Sequence, residues 1–333
     1  MTTEHPFAPI IRTLGKGKSG SRALTQEEAY TAMKMVLAGQ VEPMQLGAFL
    51  MLMRVKEETP PELAGFVRAA REALPAVRHM PAVDIDWSSY AGKRRHLPWF
   101  LLSAMLLASS GAKIFMHGLS GRKDDRVYTP EALKLLGIPS CGSLDEAAGR
   151  LDEFNFAFVA LKDFSPKLDE IIALRPVLGL RSPVHTLSRL LNPFNAPVML
   201  QGIFHPGYRD LHQETGLLLD QPHMAVIKGD GGEIERDPDV SCLVKTVHGG
   251  QLSEEEWPPL FGGARHVKEE TLDASRLLAL WRGELADEYG QAAVVGTAAI
   301  ALRAMGKADS IDAAQSLAIQ MWDNRPLGWL RAA

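Results

Sequence analysis

The chain has 333 residues, of which 46% are hydrophobic and 23% charged, with a formal charge of −4. That length is enough for two packed domains, and the composition excludes collagen-like, coiled-coil and disordered chains. The longest apolar stretch, near 97–108, is too short to span a bilayer, and Glu4 and Pro6 stand where a secretory signal needs basic residues, so a cytoplasmic protein is expected. Cys141 and Cys242 lie far apart and form neither a disulfide framework nor a CxxC metal pattern. The small acidic excess does not favour a nucleic-acid binder, although affinity for phosphate follows local clustering rather than the sum.

The first 75 residues read as helices. Thr25 and Glu28 form a capping box, followed by an apolar stripe of Ala29, Ala32, Met33 and Val36 up to Gly39. Pro43 opens a second helix and Pro60–Pro61 a third, which ends before Pro75. After Pro81 the period changes to strands at 83–87, 113–117, 156–161, 197–202 and 223–228, separated by helices at 98–110, from Thr129 to Gly137, after Ser143, and at 208–219. Such alternation predicts an α/β domain with a largely parallel sheet. Two helical pieces, 167–174 and 183–191, interrupt it, and the tail is helical at 273–286, 291–305 and 311–323.

Three stretches resemble anthranilate phosphoribosyltransferases. Gly111-Ala-Lys-Ile-Phe-Met-His117-Gly118 is similar to the family's G-x-x-V-A-K-H-G-N-R. Leu174-Arg175-Pro-Val-Leu-Gly179-Leu-Arg181-Ser182, running into Leu191-Asn192-Pro193, is similar to V-R-x-x-L-G-x-R-T…G-P-L-x-N-P. Ala225-Val-Ile-Lys228-Gly229-Asp230-Gly231-Gly232 is similar to V-V-H-G-x-D-G. The resemblance implies a small N-terminal helical domain, 1–78 with an inserted piece at 166–192, and a larger α/β domain, 79–165 and 193–333, whose mostly parallel central sheet is flanked by helices as in nucleoside phosphorylases and phosphoribosyltransferases. It also implies a homodimer through the helical domain.

The chain departs from the family where the chemistry sits. The family's G-T-G-G-D loop, whose bare N–H groups approach the pyrophosphate of phosphoribosyl pyrophosphate, aligns with Asp86-Trp87-Ser88-Ser89-Tyr90-Ala91-Gly92. The rings of Trp87 and Tyr90 are expected to fill the phosphates' room. The family's polar N-x-S-T aligns with the mostly apolar His96-Leu-Pro-Trp-Phe100, its lysine with Met116, and its magnesium-binding Asp-Glu pair with Ile234-Glu235. No catalytic residue and no cofactor is therefore assigned. Glu235, with magnesium and phosphoribosyl pyrophosphate, belongs only to the alternative reading of an active transferase in tryptophan biosynthesis. His117, Gly118, Arg175 and Arg181 match family positions, either as a remnant of the acceptor pocket or as a strand cap and an internal ion pair.

Cations replace the lost loop. Lys93, Arg94, Arg95 and His96 follow Gly92, close in sequence to Trp87, Tyr90 and Trp99. Arg12, Lys16 and Lys18 lie in an acid-free stretch, and Arg122 and Lys123 follow the His117-Gly118 motif near Arg126. Lys113 and Lys228 flank strand ends that face the same crevice in the family fold. A charge run is often a solvated loop, but cations with aromatic neighbours also suit a nucleic-acid backbone. The resemblance is closest to a divergent, catalytically degenerate branch related to a nucleic-acid-binding paralogue. The expectation is a homodimeric protein that binds DNA or RNA backbone without strong sequence preference.

Overall fold

The structure is a computed structural model that describes residues 3–17, 19–121, 125–263, 266 and 271–331. Four helices come first: α1 (Ala8–Gly15), α2 (Gln26–Leu37), α3 (Pro43–Lys56) and α4 (Pro60–Glu72). The Thr25–Glu28 capping box closes reciprocally at the start of α2, and Thr59 with Glu62 does the same for α4. Helix α1 is an addition to the helices legible in the sequence: Phe7 at its N-cap and Leu14 within it are buried, while Arg12 is exposed.

The α/β part runs β1 (Ile85–Ser89), α5 (Phe100–Ser109), β2 (Ile114–Gly118), α6 (Thr129–Leu135), α7 (Leu144–Phe154) and β3 (Phe156–Ala160). Four short helices follow, α8 (Leu161–Phe164), α9 (Pro166–Ala173), α10 (Arg175–Leu178) and α11 (Val184–Leu187). The chain then returns to the sheet with β4 (Val198–Ile203), α12 (Tyr208–Leu218), β5 (His223–Lys228), β6 (Cys242–His248) and β7 (Gln251–Trp257), and ends in α13 (Ser275–Arg282), α14 (Glu288–Ala304) and α15 (Ile311–Asp323). The sheet order is β3-β2-β1-β4-β5-β6-β7. The first five strands in that order are parallel, and β6 and β7 add an antiparallel edge. No described helix is long and apolar enough to cross a membrane.

Strand parity divides the core. Ile85, Trp87, Ile114, Met116, Leu200 and Ile227 face α5, α14 and the tail. Phe115, Val159, Met199 and Val226 face the helical domain and the inserted helices. The same parity turns the Trp87 indole into the first layer, where it is fully buried and stacks on Phe100. Trp87 therefore does not fill the place of the phosphates, contrary to the expectation from alignment. Trp99 is also fully buried, against Gly290, so neither tryptophan is free to stack on a base.

The inserted helices sit on the helical domain. The Arg71 guanidinium on α4 donates to the Leu190 carbonyl (2.8 Å), and Thr186 Oγ1 donates to Glu58 Oε1 (2.9 Å). This brings the C-terminal end of α3, the insertion and the C-terminal ends of β1, β2 and β4 around one crevice, where ligands bind in open parallel sheets. Lys113 is placed elsewhere. It precedes β2, at the opposite end of the sheet, and pairs with Asp152.

Candidate anion-binding crevice

Two adjoining cavities occupy the crevice, an inner one of about 530 Å³ and an outer one of about 380 Å³. Arg54, Arg126, Arg175 and Arg181 line both and so stand at their junction. Arg189 lines only the inner cavity, and Arg94 and Arg95 only the outer. Against these seven guanidiniums the described lining carries two carboxylates, Glu58 and Asp230. Arg95 lies 3.9 Å from Asp230, Arg54 donates to the Tyr208 hydroxyl (3.0 Å), and Arg126 donates to the Ala91 carbonyl (2.8 Å). Arg189 lies over the Tyr90 ring, 5.4 Å from its centroid. Arg94, Arg175 and Arg181 have no carboxylate within ion-pair distance among the described residues.

The crowding has an electrostatic signature. Burial, and then the neighbouring charges of Arg175, Arg189, Arg126 and Arg54, push the Arg181 guanidinium down to about 10. Burial and Arg181 push the His185 imidazole down to about 3, so it is neutral beside the guanidiniums. Seven like charges gathered this closely with only two carboxylates in the described lining make a site that gains by taking an anion.

The loop after β1 and the start of α5 are capped by the protein's own acids. Glu233 is fully buried, and its Oε1 accepts from the backbone N–H groups of Ala91 (2.5 Å) and Gly92 (2.7 Å). These N–H groups belong to the loop after β1 that aligns with the family's pyrophosphate loop. Burial pushes the Glu233 carboxyl up, while Arg189 and the two N–H groups favour its charged form. Glu235 accepts from Lys93 Nζ (2.7 Å) and from the Phe100 N–H (2.8 Å) at the start of α5. A helix start and exposed loop N–H groups are where this fold would hold phosphate, and here a carboxylate stands at each. These two acids do not fit a magnesium ion either. Glu233 is committed to backbone N–H groups and Glu235 to an ammonium that already supplies the positive charge.

Several sequence expectations change accordingly. Lys93 is 2% exposed. Burial works against its charge, but Glu235 and Asp230 more than offset this and keep the ammonium raised above its ordinary range. It is a structural ion-pair partner, not a phosphate ligand. His96 is half-buried, stacks on Tyr289 at 4.3 Å, and is pushed below its ordinary range by burial and by Lys93. It lines neither cavity. His117 is fully buried between Asp86 (3.2 Å) and the Tyr90 hydroxyl (2.8 Å), shielded from the crevice by Tyr90. Gly118 is required by packing, because a Cβ there would lie 1.6 Å from the Ser89 carbonyl oxygen. Arg12 pairs with Glu4, and neither it nor Lys16 lines the crevice. Lys228 is exposed at the end of β5 and is also outside the lining. Lys18, Arg122 and Lys123 lie outside the described residues. Of the basic residues named from the sequence the structure brings together Arg94, Arg95, Arg126, Arg175 and Arg181, and it adds Arg54 and Arg189.

Comparison with known proteins agrees with this architecture. Residues 8–74 match the glycosyl transferase family, helical bundle domain. An uncharacterized protein of Aquifex aeolicus is 33% identical over 238 residues, 71% of this chain and 72% of that one. The chain belongs to the anthranilate phosphoribosyltransferase-like family. Within that family, the uncharacterized protein YbiB of Escherichia coli is 32% identical over 209 residues, 61% of this chain and 64% of its own length. Anthranilate phosphoribosyltransferase of Burkholderia multivorans is 28% identical over 87% of this chain and 86% of that enzyme. The crystal structure of anthranilate phosphoribosyltransferase (TrpD) from Thermus thermophilus superposes with a TM-score of 0.76 at 24% identity, covering 99% of this chain and all of that one. The Saccharomyces cerevisiae enzyme in complex with PRPP and Mg gives a TM-score of 0.73 at 16% identity over 97% of this chain and 96% of that one. Those two structures show the shared fold. In this chain a pair of carboxylates caps the loop after β1 and the start of α5, with arginines lining the crevice beside them.

Proposed function

We propose that the protein binds nucleic acid, DNA or RNA, through the arginine-lined crevice, contacting mainly the phosphate backbone and without strong sequence preference. The observation that carries this reading is the junction of Arg54, Arg126, Arg175 and Arg181, extended outward by Arg94 and Arg95. A row of guanidiniums running along two adjoining cavities suits a ligand with several phosphates in series better than a lone anion. Phe204 and Leu180, about half exposed, border the mouth and offer apolar surface to bases. The test is fluorescence anisotropy with a labelled single strand of roughly 30 nucleotides and its duplex, long enough to fill the few-to-sixteen-nucleotide sites usual for such proteins. Binding is expected, strongest at low salt. No binding at low ionic strength would overturn the reading.

The reading includes a homodimer through the helical domain. Met44 and Val55 on α3 are more than four-fifths exposed, which supports an apolar contact there. Light scattering with Val55→Glu tests it, the variant being expected to shift to monomer.

The second reading is a phosphoribosyl transferase acting on phosphoribosyl pyrophosphate and an aromatic amine, with magnesium. It is favoured by Arg175 and Arg181, which share a cavity with Tyr90 and Tyr128. Against it, the donors needed to stabilise a leaving pyrophosphate are bonded to Glu233 and Glu235. Release of pyrophosphate from phosphoribosyl pyrophosphate in the presence of anthranilate would establish this reading over the first.

A further inference from the structure

The nucleic-acid reading uses the arginines and the outer mouth. It leaves the inner chamber unexplained. The chamber's volume of about 530 Å³ falls in the range of roughly 300–1,000 Å³ usual for pockets that enclose one small molecule. A duplex cannot enter a space of that size, and a phosphate alone would leave most of it empty. Its walls beyond the arginine junction are aromatic and apolar, with Tyr90, Tyr128, Tyr208, Leu119 and Ile203 among them. One wall carries a carboxylate, Glu58. It is 9% exposed, its Oε1 accepts from Thr186 Oγ1, and its Oε2 has no hydrogen-bond partner. A buried carboxylate oxygen left unpaired at the wall of a cavity points to a missing donor.

Resting on the nucleic-acid reading, we propose that the inner chamber takes one unstacked nucleotide of the bound strand. Its base lies among the tyrosines with its edge at Glu58, and its phosphate sits in the junction of Arg54, Arg126, Arg175 and Arg181. The chemistry names the base. A carboxylate only accepts, and guanine presents two adjacent donors, N1–H and N2–H₂, on its Watson–Crick edge, where adenine, cytosine and uracil present fewer. A guanosine monophosphate unit therefore satisfies both ends of the chamber at once. Strand binding remains dominated by phosphates outside it, with a single position of base preference inside.

Calorimetry on the full chain, at fixed low ionic strength, tests this with GMP, AMP, guanosine and inorganic phosphate as separate titrants. GMP is expected to bind one per chain and about tenfold or more tighter than either phosphate or guanosine, because it alone fills both ends. Glu58→Gln, with its fold checked by its unfolding midpoint, is expected to erase the preference for GMP over AMP. Arg181→Ala is expected to weaken every phosphorylated titrant, while Arg94→Ala weakens the labelled strand and leaves GMP unchanged. Displacement of the labelled strand by GMP is expected, at GMP concentrations that inorganic phosphate does not match. Phosphate binding as tightly as GMP, or an unchanged GMP-to-AMP ratio in Glu58→Gln, would overturn the assignment. GMP that binds but does not displace the strand would overturn the placement of a strand nucleotide in the chamber. A strand that binds in a salt-dependent way while GMP does not bind overturns this inference and leaves the nucleic-acid reading standing, whereas failure of both overturns the two together.

Discussion

If Glu233 stands in for a phosphate, removing it vacates an anion site that an added anion refills. In Glu233→Ala the N–H groups of Ala91 and Gly92 lose their acceptor, and Arg189, which balances the carboxylate, is left with excess charge. A hydrogen bond to a charged group contributes about 1.5–3 kcal/mol, and breaking a buried charge pair costs about 3–5 kcal/mol. These effects overlap in one cluster, so they do not add, and a loss of about 3–5 kcal/mol is expected. The assay is urea unfolding of both proteins with and without pyrophosphate. An anion present at about 100 times its dissociation constant stabilises by about 2.7 kcal/mol. The variant is therefore expected to recover about half or more of its loss, and by more than the wild type gains from the anion at its arginine junction. A variant as stable as the wild type, or an equal pyrophosphate gain in both, would refute the reasoning.

Three further outcomes follow from the same structure. Lys93→Ala leaves Glu235 buried without its 2.7 Å partner, so it is expected to lose about 3–5 kcal/mol of stability by urea unfolding. Lys93→Ala strand affinity, measured below its unfolding transition, is expected to stay within about twofold of wild type, because Lys93 is not at the crevice surface. His212 is buried beside Gln201 and pushed down to about 3 by burial and by Arg189, whereas the unfolded residue titrates near its ordinary 6.5. Between those values the unfolded chain holds the extra proton. Stability is therefore lost as pH falls from about 6.5 toward 3, by up to roughly 1.4 kcal/mol per pH unit from this group. His212→Gln is expected to flatten that slope in urea midpoints measured across the window.

The fold was legible where periodicity is strong. The five parallel strands and the capped helices α2 and α4 follow from alternation, apolar stripes and N-terminal Ser, Thr and Pro signals. The hairpin of β6 and β7 did not stand out because β7 is an exposed edge reading Gln-Leu-Ser-Glu-Glu-Glu-Trp, whose acids hide the strand pattern. The signal that marks it is Gly249–Gly250, a two-residue turn with both residues at positive φ, 54° and 77°. At the site, Arg175 and Arg181 were found through a motif. Arg54, Arg126 and Arg189 come from α3, the loop after β2 and the insertion, and only tertiary packing joins them. Lys93 shows the limit of reading a charge run. It adjoins Arg94 and Arg95 in an irregular loop, where no period tells which side chain turns inward, and it turns toward Glu235. Trp87 was legible in principle, since it shares its strand face with Ile85.

The central claim is that phosphates bind at the guanidinium junction, and the salt dependence of strand binding tests it most directly. Anisotropy isotherms for wild type and an Arg175→Ala/Arg181→Ala variant, across a salt series, yield two slopes of log affinity against log salt. The account predicts a steep wild-type slope and one shallower by roughly 0.7 for each phosphate contact the variant loses on a single strand. Affinity indifferent to salt, or identical slopes in the two proteins, would contradict it.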